Sequence, residues 1–151
     1  MRILKLTAPE LPRIRRLGAQ FADEVKLAGG YVPKRFEGVW GPLMDADLAD
    51  VFVAEDKSGE LTGFLGASYV PDLYSGVPGA QSQFWFVDVF HRSGSTSVRL
   101  FAEFEREAKA RGTQKYFVGY KQGVHEEAMK DFFLRRGYVL GENIYWKNLC
   151  P

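Results

Sequence analysis

Residues 2 to 6, RILKL, alternate apolar and polar positions as a short strand does. The next apolar positions, Leu11, Ile14, Leu17, Phe21, Val25 and Ala28, stand three or four apart, the spacing of a helix with one buried face. Thr7 and Glu10 supply a capping box at its start, and the glycines of AGGYVP end it. Pro33 suits the first turn of a second helix carrying Phe36, Val39, Trp40 and Leu43, which Gly41-Pro42 should break or kink near its middle. DVFVAEDKSGELTGFLGASYV reads as a hairpin turning at Asp56-Lys57-Ser58-Gly59. After the loop PDLYSGVPGA, the stretch QSQFWFVDVF is apolar enough for a strand in the middle of a sheet. Leu100, Phe101, Phe104 and Ala108 then mark one face of a helix closed by Gly112, KYFVGY a strand, HEEAMKDFFLRR a helix stopped by Gly137, and NIYWKNL a last strand. The order β-α-α-β-β-β-α-β-α-β predicts an α+β domain with a mixed sheet.

The 151 residues suit a single domain, 1–151, large enough to bury a core without staples. With 46% hydrophobic and 26% charged residues the composition is that of an ordinary globular protein, and no apolar run approaches the ~20 residues of a membrane span. MRILKLTAPE lacks the features of a signal peptide, so the expected location is the cytoplasm. The single cysteine, Cys150, reads as incidental. A net charge of +1 shows no global preference for nucleic acid or an anionic membrane, and neither is expected as a partner. No Walker loop, metal-ligand spacing, nucleophile elbow or catalytic carboxylate pair is present.

Candidate chemistry concentrates in FHRSGSTSVRLF, residues 90 to 101. A strand that stops, a small-residue turn and a helix start together form an anion site, because the first helical amides lack intrahelical acceptors and carry the positive end of the dipole. Gly94 can take a positive φ at little cost, and Arg92 can add bidentate phosphate contacts. This suits a pyrophosphate. The same residues also serve as a plain N-cap, Ser95 or Ser97, beside a solvated arginine.

The element order, FVAEDKSGELTGFL, the strand-loop-helix at 83 to 111 and the ending FFLRRGYVLGENIYWKNL together resemble the Gcn5-related N-acetyltransferase (GNAT) superfamily over nearly the whole chain. FWFVDVFHR also resembles small acetyltransferase-like proteins carried by phages and prophages. The resemblance implies an α/β/α layered, acyl-CoA N-acyltransferase fold, with a mostly antiparallel sheet of six to seven strands and about four helices. It implies acetyl-coenzyme A (CoA) as cofactor, with the pyrophosphate at Arg92, Ser93, Gly94, Ser95, Thr96, Ser97 and Val98 and a further phosphate contact from Arg99. Arg92-Ser93-Gly94-Ser95-Thr96-Ser97 matches the family pattern Arg/Gln-x-x-Gly-x-Gly/Ala with serines at both motif glycines. The strand from Phe84 through Val87 to Val89 would pair with the pantetheine arm, and the amide of Val87 or a neighbour would face the thioester oxygen.

The family's usual proton carriers are missing: the base position holds Gln83, and the tyrosine four residues before the final glycine motif is Phe133. Asp88, His91, His125 and Tyr120 are the substitutes. Asp88 serves equally as a structural charge, His91 as a phosphate-side or surface residue and His125 as a solvated helix-start histidine. AGGYVPKRFEGVW reads as a lid, and Glu55, Asp72, Glu126 and Glu127 either attract a cationic amine or are solvated surface, while Trp40, Trp85 and Phe104 read as core. The expected activity is acetyl transfer to a primary amine, of a small molecule or protein, by direct transfer in a ternary complex. A non-catalytic CoA-binding or protein-binding relative is the alternative. A homodimer through the last strands is open to such a chain, since an exposed edge invites pairing.

Overall fold

The computed structural model of the chain describes residues 1–121, 123–142, 144, 145, 147 and 149. Among them five strands form one sheet in the order β1-β2-β3-β4-β5: β1 (Arg2–Lys5), β2 (Ala49–Glu55), β3 (Leu61–Ser68), β4 (Gly79–Val87) and β5 (Lys115–Phe117). Neighbours are antiparallel except β4 and β5, which are parallel. The helices are α1 (Arg15–Glu24), α2 (Pro33–Asp45), α3 (Thr96–Ala110) and α4 (Glu126–Arg135). Among the described residues, no helix is long and apolar enough to cross a membrane.

The sheet is covered on both faces, which explains its near-continuous apolar strands. Val51, Val53, Phe64 and Phe86 pack with Leu11, Ile14, Leu17 and Trp40 on the α1–α2 side. Phe52, Ala54 and Leu65 pack with Leu100, Phe101, Phe104, Ala108 and Phe133 on the α3–α4 side. Trp40 and Phe104 are buried as core residues, and Trp85 packs against the second cluster with its ring 5.0 Å from that of Phe101.

Three expectations are corrected. The capping box forms, with Glu10 accepting from both the amide and the hydroxyl of Thr7 at 2.9 Å, but it opens a 3-10 segment, Ala8–Ile14, before α1 begins. Pro12 lies inside that segment, where its missing N–H disfavours a regular helix. Conversely α2 runs unbroken through Pro42. The carbonyl deprived of a partner there belongs to exposed Gly38, which water can serve, while Trp40 clamps the helix to the core. Finally, five strands replace the expected six to seven. KYFVGY yields only Lys115–Phe117. The expected last strand falls partly on Asn143, Trp146 and Asn148, outside the described residues, as does Cys150; Ile144, Tyr145, Lys147 and Leu149 carry no strand. The outer edge of β5 has no partner among the described residues.

Asp72, considered for attracting an amine, is instead a buried structural anchor. Its Oδ1 accepts from the amides of Tyr74 and Ser75, both at 2.9 Å, and its Oδ2 accepts from Lys115 Nζ at 2.6 Å, tying the β3–β4 loop to the start of β5. The Lys115 contact, helped by the two amides, holds the Asp72 carboxyl well below the usual carboxylate range. A depressed pKa contributes stability that is complete above the unfolded value of about 4 and is lost as pH falls toward the folded value. In thermal melts between pH 6 and pH 3, Asp72→Asn should therefore be less stable than the parent at pH 6, with the gap narrowing as the pH drops. A constant gap would mean that charge is not what anchors the loop.

Candidate active site

Strand β4 is longer than its neighbour. Its ladder with β5 consists of Gly79↔Lys115, Ala80↔Tyr116 and Gln81↔Phe117, after which β4 continues from Ser82 to Val87 with no partner on that side among the described residues. A register shift at Gly66/Ala67 makes Gln83 the extra residue, since Gly66 pairs with Phe84 and Ala67 with Ser82. Such a bulge bends its strand. Gly66 permits the geometry, because a Cβ there would lie 2.1 Å from the Phe84 ring.

The backbone direction of the open stretch follows from alternation. The Asp88 amide donates to the Thr62 carbonyl at 2.9 Å, so residues 88 and 86 turn their polar groups toward β3 and residues 87 and 85 turn theirs toward the gap. The Val87 carbonyl in the gap accepts from Arg92 Nε at 2.8 Å, leaving the Val87 amide facing the same opening without a ladder partner.

Asp88 shapes the turn that follows. It is 4% exposed; Oδ1 accepts from the Phe90 amide at 3.1 Å, and Oδ2 from Arg16 at 2.8 Å and Gln20 at 3.3 Å. Burial raises its pKa, but the Arg16, Phe90 and Gln20 hydrogen bonds outweigh it and the carboxyl is lowered overall. A carboxylate so held is a weak proton acceptor, and the structure makes it the cap of a 3-10 turn, Val89–His91, that leaves Val89 and Phe90 exposed. His91 Nδ1 is 3.7 Å from Asp88 Oδ1.

The loop from Ser93 to Ser95 is exposed, and a Cβ at Gly94 would meet nothing within 4 Å. Gly94 is not among the positive-φ residues, so the loop does not use the left-handed conformation open to it. Ser95 is the N-cap of α3 but makes no side-chain cap bond, leaving the amides of Thr96, Ser97 and Val98 without intrahelical acceptors. Thr96 is buried with Oγ1 3.0 Å from Met1 Sδ, and Arg99 reaches the Met1 carbonyl at 3.4 Å. Amides without intrahelical acceptors attract anions, and an unpaired strand edge offers donors and acceptors to an extended polar chain.

Arg92 departs furthest from expectation. Besides Val87 it contacts His125, with Nη1 3.1 Å from Nε2, and forms an ion pair through Nη2 with Glu24, while its guanidinium carbon lies 5.2 Å from the Phe86 ring centre. His125, the N-cap of α4 at φ 50°, also has Nε2 3.3 Å from Glu24 Oε1. Tyr120 stacks on buried Phe133 with centroids 6.4 Å apart and planes at 24°, placing a phenol beside the position where the resemblance expects one. Glu55 is taken up by Arg2 and Arg13, and Glu126 accepts from the Gly123 amide at 3.1 Å; Glu127 is exposed. Gln83 donates to Ser68 Oγ at 2.8 Å.

Sequence reasoning missed Arg16, Gln20 and Glu24. Their spacing of four along α1 carried a signal, a polar stripe beside the apolar one, and it is this stripe that meets Asp88 and Arg92.

The architecture matches solved structures over nearly its whole length. Ribosomal-protein-alanine N-acetyltransferase from Brucella melitensis biovar Abortus 2308 gives a TM-score of 0.76 at 15% identity, covering 99% of this chain and 100% of that one. This is the GNAT fold. The GNAT fold is shared with aminoglycoside N-acetyltransferase AAC(6')-Iy in complex with CoA, at TM-score 0.77, 19% identity and coverage of 99% and 95%. It is shared too with an aminoglycoside acetyltransferase from an uncultured soil metagenomic sample in complex with trehalose, at 0.75, 19%, 99% and 95%. No protein-family model and no curated protein matches the chain in sequence.

Proposed function

We propose that the chain is an acetyl-CoA-dependent N-acetyltransferase acting on a primary amine by direct transfer in a ternary complex. The observation that carries this is the open edge of β4 running into the free amides of α3, a gap lined by backbone donors and acceptors. The fold shared with acetyltransferases, one of them bound to CoA, supports the same reading.

Acetyl-CoA supplies an activated acyl thioester. The amides of Thr96, Ser97 and Val98 would hold its pyrophosphate, and Trp85 and Val87 would offer backbone groups to the pantetheine arm. The Val87 amide would donate to the thioester oxygen, where one well-placed donor is worth ~2.7–4 kcal/mol. A lysine-like amine with pKa about 10.4 costs ~4–5 kcal/mol to deprotonate at pH 7, so a proton acceptor matters. His125 stands one guanidinium away from Val87 and takes the amine proton, directly or through water. Acetyl-CoA bound there would lose its sulfur as a thiolate, and Tyr120 would be the phenol that protonates it, regaining its own proton from solvent.

Gly94→Val tests the cradle. Open space at the Cβ leaves the free protein's melting temperature unchanged, but the side chain obstructs a phosphate approaching the backbone. Acetyl-CoA at ~100 times its dissociation constant should stabilise the parent by about 2.7 kcal/mol, a shift of several degrees, and the variant far less at the same concentration. Amine-dependent thiol release over a panel of primary amines completes the test. No thermal shift at millimolar acetyl-CoA would overturn the proposal; binding without thiol release from any amine would favour the non-catalytic CoA-binding alternative.

A further inference from the structure

The Arg92, Glu24 and His125 cluster poses a conflict. Resting on the acetyl-CoA reading, we propose that Glu24 is an internal counter-anion that occupies Arg92 in the free chain, and that a phosphate-bearing ligand binds by exchanging with it.

A guanidinium offers five N–H donors, and a bidentate contact to phosphate needs two parallel ones. Each nitrogen of Arg92 already has a protein partner: Nε has the Val87 carbonyl, Nη1 has His125 and Nη2 has Glu24. Both bidentate edges of the group, Nε with Nη2 and Nη1 with Nη2, include the nitrogen that Glu24 holds. A phosphate docking there would also face the Glu24 carboxylate, and like charges at such separation repel. Nη1 and Nη2 each keep a second hydrogen, so the obstacle is the Glu24 carboxylate itself: a phosphate gains the full bidentate contact only once Glu24 gives Nη2 up. The position of Glu24 permits this. It is the last residue of α1, before Lys26 at φ 48° and two positive-φ glycines, Gly29 and Gly30, that touch nothing within 4 Å of a notional Cβ.

His125 completes the exchange. Arg92 is always a donor, so while it donates to Nε2 that nitrogen is an acceptor and has no hydrogen for Glu24. The 3.3 Å approach of Nε2 to Glu24 Oε1 becomes a hydrogen bond only when the proton sits on Nε2. Withdrawal of Arg92 allows that tautomer, leaving Glu24 with a partner and freeing the Nδ1 lone pair of His125. Ligand binding and the proton-accepting form of His125 are thereby coupled through Glu24, a positioning residue.

Two measurements on the full-length protein test this. In calorimetric titrations with acetyl-CoA, Glu24→Gln should bind on the order of tenfold more tightly than the parent, as expected when the competent state rises from about a tenth to most of the population. Equal or weaker binding by the variant, with the parent binding normally, would overturn the exchange while leaving the N-acetyltransferase reading intact. Absence of binding in both proteins would overturn both. The second measurement leaves Glu24 unaltered: the 15N shifts of the His125 ring should report Nδ1–H in the free protein and Nε2–H at saturating acetyl-CoA. His91, the other histidine of the chain, is identified by its loss in His91→Gln. An unchanged His125 tautomer on saturation would also refute the exchange.

Discussion

Phe101→Ala is expected to remove about 3–5 kcal/mol of stability, the usual loss for truncating a fully buried phenylalanine. Phe101 is 0% exposed and its ring lies 5.0 Å from Trp85, 5.6 Å from Phe104, 5.2 Å from Phe132 and 5.7 Å from Phe133, centroid to centroid. It thus joins α3, β4 and α4 through one side chain. The neighbours are themselves ring systems held by one another, so they cannot collapse freely into the space left behind. With total stabilities of about 5–15 kcal/mol for such domains, urea denaturation should show a lower midpoint at unchanged slope, and the melting temperature should fall on the order of 10 °C. A loss below about 1 kcal/mol would mean that the α3–α4 face is not packed as described.

The second large effect is on rate. With any amine found to support thiol release, His125→Ala should lower kcat by about 100-fold or more, within the range general bases contribute, while acetyl-CoA still binds. Arg92 links Val87 and His125 through Nε and Nη1, at 2.8 and 3.1 Å, and His125 offers a free lone pair once Arg92 withdraws. Asp88 cannot fill that role, since Arg16, Gln20 and the Phe90 amide already occupy its carboxylate. Were kcat to change less than threefold, alignment of amine and thioester alone would carry the reaction, as proximity can.

What was legible in the sequence is what depends on local pattern. The one-faced α3 with Leu100, Phe101, Phe104 and Ala108, the Asp56–Gly59 turn and the start of α3 after a small-residue loop each rest on residues a few positions apart. Strand β4 was legible as a strand, but its open edge was not. That edge depends on a bulge at Gln83, on the missing Cβ of Gly66 and on the brevity of β5, which are properties of pairing between distant segments. Arg92 was legible as a cation in the loop that leads into α3. The place of its side chain was not, because its partners Glu24 and His125 are 68 and 33 residues away in the chain. Pro12 and Pro42 show the same limit: identical chemistry accompanies a 3-10 segment in one helix and an unbroken helix in the other, and exposure and neighbours decide which.

On the proposed reading, the β4 edge and the first amides of α3 form one cofactor surface. Amide-resolved hydrogen exchange with and without acetyl-CoA tests it most directly. The account predicts slowed exchange at Trp85, Val87, Ser97 and Val98 on saturation, with Phe86 and Asp88, whose amides already face β3, little changed. Saturable binding that leaves Val87 and the α3 amides exchanging as in the free protein would contradict it.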